Sequence, residues 1–153
     1  MGGKELVGTW RLVSAEYKAV DSSVSTRVIY PYDREPEGYL VYSEDGYMSV
    51  AVMSKDRGAF ASGDRLGGTT EEKVRAADAY LSYCGSYELR GNRVVHHIKV
   101  SLFPNWVGTD QERLFELADD TLMLSTTPFL FGGAMRIGQL IWKRVEPVFT
   151  GAK

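Results

Sequence analysis

The chain has 153 residues, 18 basic and 20 acidic, for a formal net charge of -2. No basic surplus exists to neutralise phosphates, which argues against nucleic-acid partners. A single cysteine, Cys84, excludes an intrachain disulfide, and two histidines are too few for a three-histidine zinc site.

One domain over residues 1–153 is expected at this length, with about 69% of the chain's surface buried on folding. Hydrophobic residues make up 44%, and tyrosine leads the aromatics with nine copies. Met1-Gly2-Gly3-Lys4-Glu5 runs straight into a strand-like stretch without an apolar leader. No apolar run reaches the roughly 18 residues of a membrane span. A cytoplasmic protein with no membrane partner is expected.

Trp10 to Tyr17 alternates loosely and reads as a strand, with Trp10, Leu12, Ser14 and Glu16 on one face. Arg27 to Tyr32 reads as a short strand ending at Pro31. Gly38 to Ser43 and Tyr47 to Ser54 flank Asp45-Gly46, a strong hairpin signal. Asp56 to Gly68 is rich in Gly, Ser and Asp and reads as a loop. Thr69 with Glu72 three residues later fits a capping box, so a helix is expected over 70–83. Val74, Ala77 and Leu81 would form its stripe and Gly85 its stop. Cys84 would then sit at a helix C-terminus, where the dipole disfavours a thiolate, and reads as structural. Strands resume at Ser86 to Leu89, Val94 to Phe103, Gln111 to Leu117, Thr121 to Thr126 and Ile137 to Val145. Thr127 to Gly133 reads as a loop. Eight or nine short strands and one helix point to an all-β fold, a closed antiparallel barrel without exposed edges.

The interior of such a barrel takes every second residue. Val94, His96, Ile98, Val100 and Leu102 form the apolar face of their strand, so His96 is expected inside and His97 near solvent. Gln111, Arg113, Phe115 and Leu117 share the inward face of the next strand, and Tyr87 and Leu89 share one on theirs. A buried Arg113 needs a partner: an inward carboxylate such as Glu16, a carbonyl or a ligand. His96 reads either as a hydrogen-bonded core residue or as part of a site. Convergent polar groups in an apolar cavity describe a small-molecule site.

Other patterns carry less. Ser101, His96 and Asp110 lack a nucleophile elbow to make them a triad. Gly63 to Gly68 lacks the Gly-Lys-Ser/Thr end of a phosphate loop. His96 and His97 point to opposite faces of a strand and cannot share one metal. No metal and no cofactor is expected.

Gly8-Thr9-Trp10-Arg11-Leu12-Val13-Ser14, Gly38-Tyr39-Leu40-Val41-Tyr42, Asp45-Gly46-Tyr47-Met48-Ser49, Val95-His96-His97 and Phe103-Pro104-Asn105-Trp106-Val107-Gly108-Thr109 together resemble the lipocalin-like domain family. The match runs over about residues 5 to 145. The resemblance implies a ligand-holding barrel, with Trp10 packed at a closed end and Arg144 over it. Some similar small barrels in fungal and bacterial natural-product clusters act as cofactor-free cyclases or isomerases. The leading expectation is therefore a cofactor-independent isomerase or cyclase acting on a hydrophobic natural-product-like molecule. In it His96 is general acid/base, Arg113 stabilises an enolate or phenolate, and Glu16 assists. Tyr87, Tyr39, Met53, Phe115, Trp106 and Ile98 would line the cavity. The alternative is a carrier or sensor of a small apolar ligand, and the plainest reading is a structural barrel with a filled core. A homodimer through an exposed strand face is also expected.

Overall fold

Burial alternates along most strands, as in Glu37–Tyr42, where Gly38, Leu40 and Tyr42 are buried and Tyr39 and Val41 exposed. The computed structural model describes residues 4–21, 23 and 27–149. Met1, Gly2 and Gly3, read above for a leader, lie outside the described residues. Among the described residues ten strands form one antiparallel sheet: β1 (Gly8–Ala19), β2 (Val28–Ile29), β3 (Glu37–Tyr42), β4 (Tyr47–Met53), β5 (Tyr80–Arg90), β6 (Arg93–Ser101), β7 (Asp110–Ala118), β8 (Thr121–Thr126), β9 (Phe129–Phe131) and β10 (Ala134–Arg144). The order is β2-β1-β3-β4-β5-β6-β7-β8-β10-β9, and β1 also pairs with β10. Eight strands thereby close a barrel, with β2 and β9 as additions at its rim.

The expected barrel is the observed fold, with corrections at particular elements. The expected helix is present as α1 (Thr70–Asp78), opened by the expected Thr69–Glu72 capping box. It stops five residues earlier than the sequence suggests. None of its residues is buried, so no packed stripe extends it. Tyr80 to Cys84 pair instead with β4 and continue β5, whose alternation buries Tyr83. Cys84 is thus a half-buried strand residue, not a helix C-terminus. The strand expected from Arg27 shrinks to Val28–Ile29, and Phe129–Phe131, read as loop, pairs with β10.

Two bulges redirect side chains. Leu12 faces Trp142 but Ser14 faces Ile141, so β1 carries an extra residue. Beyond that point Ala15 and Tyr17 are buried, and Glu16 is turned out of the alternating core face. On β6, Ile98 pairs with Gly85 and Val100 with Cys84, which makes Lys99 the extra residue. Val100 and Leu102 are consequently exposed rather than inward.

The end of the barrel near Trp10 is closed. Trp10 is fully buried and its indole N–H donates to the Leu6 carbonyl at 3.0 Å. The Arg144 guanidinium lies 4.2 Å from the Trp10 ring centroid and donates to the carbonyls of Val7 and Glu5. Gly8 has φ +137°, and a Cβ there would come within 2.7 Å of Arg144 Nη1. The Gly-x-Trp spacing thus has a local cause: glycine leaves room for the arginine that covers the tryptophan. Among the described residues, no helix is long and apolar enough to cross a membrane.

Candidate functional site

A cavity of about 60 Å³ lies inside the barrel, bordered by residues of both sheet and loops but not by Trp10. That volume is room for a few waters. Val50, Val52, Leu81, Leu124 and Leu140 supply its aliphatic wall, and Tyr17, Tyr83 and Trp142 its aromatic wall within the barrel strands. Three more aromatics border it from segments outside the eight closing strands: Tyr32 from the turn after β2, Trp106 from the 3-10 turn Pro104–Trp106, and Phe129 from β9. Pro104-Asn105-Trp106-Val107-Gly108-Thr109 folds back on itself. The amide and hydroxyl of Thr109 both donate to the Trp106 carbonyl, at 3.0 and 2.7 Å. This compact turn sets Trp106 edge-on to Tyr83, with centroids 5.6 Å apart.

The polar groups of the cavity form a chain. Arg113 Nη2 reaches the Tyr83 hydroxyl at 3.5 Å, Tyr83 meets His96 Nδ1 at 2.9 Å, and His96 Nε2 meets the Tyr42 hydroxyl at 2.7 Å. A guanidinium only donates. Tyr83 therefore accepts from Arg113, and the neutral imidazole donates to one of its two tyrosine hydroxyls and accepts from the other. His96 is 1% exposed, and burial, then the charge of Arg113, push its imidazole well below the usual histidine range. It is neutral, with both nitrogens occupied. Burial likewise raises the Tyr42 hydroxyl. Tyr17 and Tyr32 share a hydrogen bond and are both raised chiefly by burial.

Three of the sequence-chosen residues, His96, Arg113 and Trp106, border the cavity. Others fall elsewhere. Glu16 pairs across to Gln139 on the outward side of β1. Tyr39 is 54% exposed on the outer surface. Met53 faces out at the end of β4, where Arg57 approaches its sulfur. Ile98 is buried in the core and Phe115 packs against that core, but neither reaches the cavity wall. Tyr87 packs on Tyr42 at 4.7 Å and donates to the Ser43 carbonyl, behind the cavity. Sequence reading overlooked Tyr17, Tyr32, Tyr83 and Phe129. The period-two run Tyr80-Leu81-Ser82-Tyr83 was a signal for the third of these.

A family model described as a lipocalin-like domain matches residues 7–145. The chain belongs to the lipocalin-like domain family. A curated relative, the 4'-hydroxy-3'-methoxypropiophenone carrier protein of Aspergillus oryzae, is 34% identical over 107 residues, covering 64% of this chain and 96% of the relative. In this lipocalin-like domain Arg144 covers Trp10, and His96, Tyr83 and Arg113 come together on the cavity wall.

Proposed function

We propose that this protein binds a small, flat, largely apolar molecule inside the barrel and carries it unchanged. The observation behind this reading is the state of His96. The histidine facing the cavity is neutral and held at both nitrogens by tyrosine hydroxyls, so it serves as a fixed wall rather than as a proton carrier. The carrier name of the Aspergillus oryzae relative supports the same reading, and an aromatic ketone such as 4'-hydroxy-3'-methoxypropiophenone suits the aromatic walls. On this reading the protein works in the cytoplasm, in natural-product metabolism.

The cavity is smaller than the several hundred Å³ usual for such ligands. Tyr32, Trp106 and Phe129 must therefore give way, and their place outside the closing strands lets them do so without breaking the barrel ladder. Titrating 4'-hydroxy-3'-methoxypropiophenone and related aryl ketones into the protein, with tryptophan fluorescence and calorimetry as readouts, tests binding. Mass spectrometry of the released ligand tests whether it is unchanged. Saturable binding with intact ligand is expected, and Trp106→Ala should abolish most of the fluorescence response. No binding across the series would overturn the reading.

A second reading, a cofactor-independent isomerase or cyclase, draws on the Arg113–Tyr83–His96 chain, whose three members all line the cavity. A changed product that disappears in His96→Ala would favour it over the carrier.

A further inference from the structure

Arg113 is 8% exposed and borders the cavity. Its acceptors are both uncharged: the Glu112 carbonyl at 3.1 Å and the Tyr83 hydroxyl at 3.5 Å. Among the described residues no carboxylate lies within ion-pair distance of it. Glu112 instead pairs with Arg93, and Asp110 with His97. Glu16 is turned outward by the β1 bulge. A buried guanidinium without a counter-charge is unfavourable, and a binding partner of opposite charge relieves it.

The neutral polar groups Gln111, Thr126 and Thr127 also line the cavity, but Arg113 is the charged side chain on its wall. His96 is occupied at both nitrogens. Trp142 borders the same cavity, and its indole N–H is buried without an acceptor. Burial raises Tyr17 and Tyr42 while Arg113 opposes that rise, so its positive field reaches across the interior. The site therefore offers donors and a net positive charge between aromatic rings.

We propose that the cavity recognises its ligand by an anionic oxygen, a phenolate or carboxylate on a flat aromatic body, seated against Arg113. The proposal rests on the carrier reading, because it needs a ligand in this cavity. It adds what that reading leaves open, the charge of the molecule that is held.

The chromophores 4-nitrophenol, 4-nitrobenzoate and 4-nitroanisole test it on the full chain. Phenol and phenolate absorb at different wavelengths, so the spectrum reports the bound form directly. Bound 4-nitrophenol should remain phenolate about one pH unit or more below its free titration midpoint. The uncharged 4-nitroanisole should bind at least about tenfold more weakly than the phenolate. Arg113→Met should remove both differences, and Arg113→Lys should keep part of them, with circular dichroism and Tm reporting that each variant is folded. Preference for 4-nitrobenzoate over 4-nitrophenol would assign the oxyanion as carboxylate, and the reverse as phenolate. If the nitroanisole binds as well as the others and 4-nitrophenol binds neutral, the oxyanion proposal is overturned while the carrier reading stands. If none of the three binds while the aryl ketones do, the oxyanion proposal is overturned and the carrier reading stands; if the ketones fail as well, both fall.

Discussion

His96 and His97 are consecutive on β6 yet sit in opposite electrostatic settings. His96 turns into the barrel between the hydroxyls of Tyr42 and Tyr83. His97 turns outward between two carboxylates, with Nδ1 2.7 Å from Asp110 and Nε2 2.8 Å from Glu88. That outer arrangement ties β5, β6 and β7 together across one surface.

The two histidines predict opposite pH dependences. The Asp110 and then the Glu88 hydrogen bonds hold His97 above its ordinary pKa. Its contribution is complete below the unfolded value near pH 6.5 and is lost as pH rises through the raised folded value. His96 is held below its ordinary pKa by burial. The unfolded chain takes up a proton there that the folded one refuses, so its contribution is present above about pH 6.5 and fades as pH falls. Urea midpoints measured from pH 5 to 9 should show His97→Gln losing stability mainly on the acidic side, relative to wild type. His96→Gln should flatten the wild-type decline below pH 6.5. The same slopes in both variants as in wild type would contradict these assignments.

Gly85 predicts a packing effect. A Cβ at this position would overlap the His97 carbonyl oxygen across the β5–β6 bulge. Gly85→Ala must push the two strands apart at the point that aims Tyr83 and His96 inward. A loss of about 2–3 kcal/mol is expected, read as a drop in urea midpoint and Tm. A loss below about 0.5 kcal/mol, the scatter of an ordinary surface change, would argue against this close approach.

Much of the barrel is legible in the sequence because alternation and turn chemistry are local. Asp45-Gly46 marks the β3–β4 turn, and Thr69 with Glu72 marks the helix start. The errors share a different cause. An inserted bulge residue such as Val13 or Lys99 has no compositional signature, yet it reverses every face beyond it. That reversal is why Glu16, Val100 and Leu102 point the wrong way in a strict period-two reading. Leu81 falls at helical spacing from Val74 and Ala77, but the strand pairing of β5 with β4 outweighs that coincidence. His96 and Arg113 were readable from their own strand. The tyrosines that fix the state of His96 lie 54 and 13 residues away in the chain, and only closure of the barrel brings them together.

Arg144 predicts how the closed end is held. It stacks over Trp10 and donates to two carbonyls of the segment preceding β1, more than 130 residues earlier in the chain. Arg144→Met keeps much of the volume and removes both the charge and the donors. About 2 kcal/mol of stability should be lost, the sum expected of a cation–π contact and charge-assisted hydrogen bonds at a partly exposed site. Hydrogen exchange should rise first at Leu6 and Val7. Protection there equal to wild type would mean that Trp10 alone holds the segment.

Tyr83 predicts a coupling that separates structure from ligand contact. Tyr83→Phe keeps the ring against Trp106 and removes the hydroxyl that joins Arg113 to His96. His96 Nδ1 is then buried without a partner, at a cost of about 1–3 kcal/mol. His96→Leu alone should cost a similar amount, because it strands the Tyr42 and Tyr83 hydroxyls. In Tyr83→Phe with His96→Leu, the broken pair is absent altogether, so the double variant should lose less than the sum of the singles. A urea-denaturation cycle over the four proteins measures the difference. Strict additivity would mean that the two side chains are neighbours without a stabilising bond, and the neutral, fixed state of His96 would then need another cause.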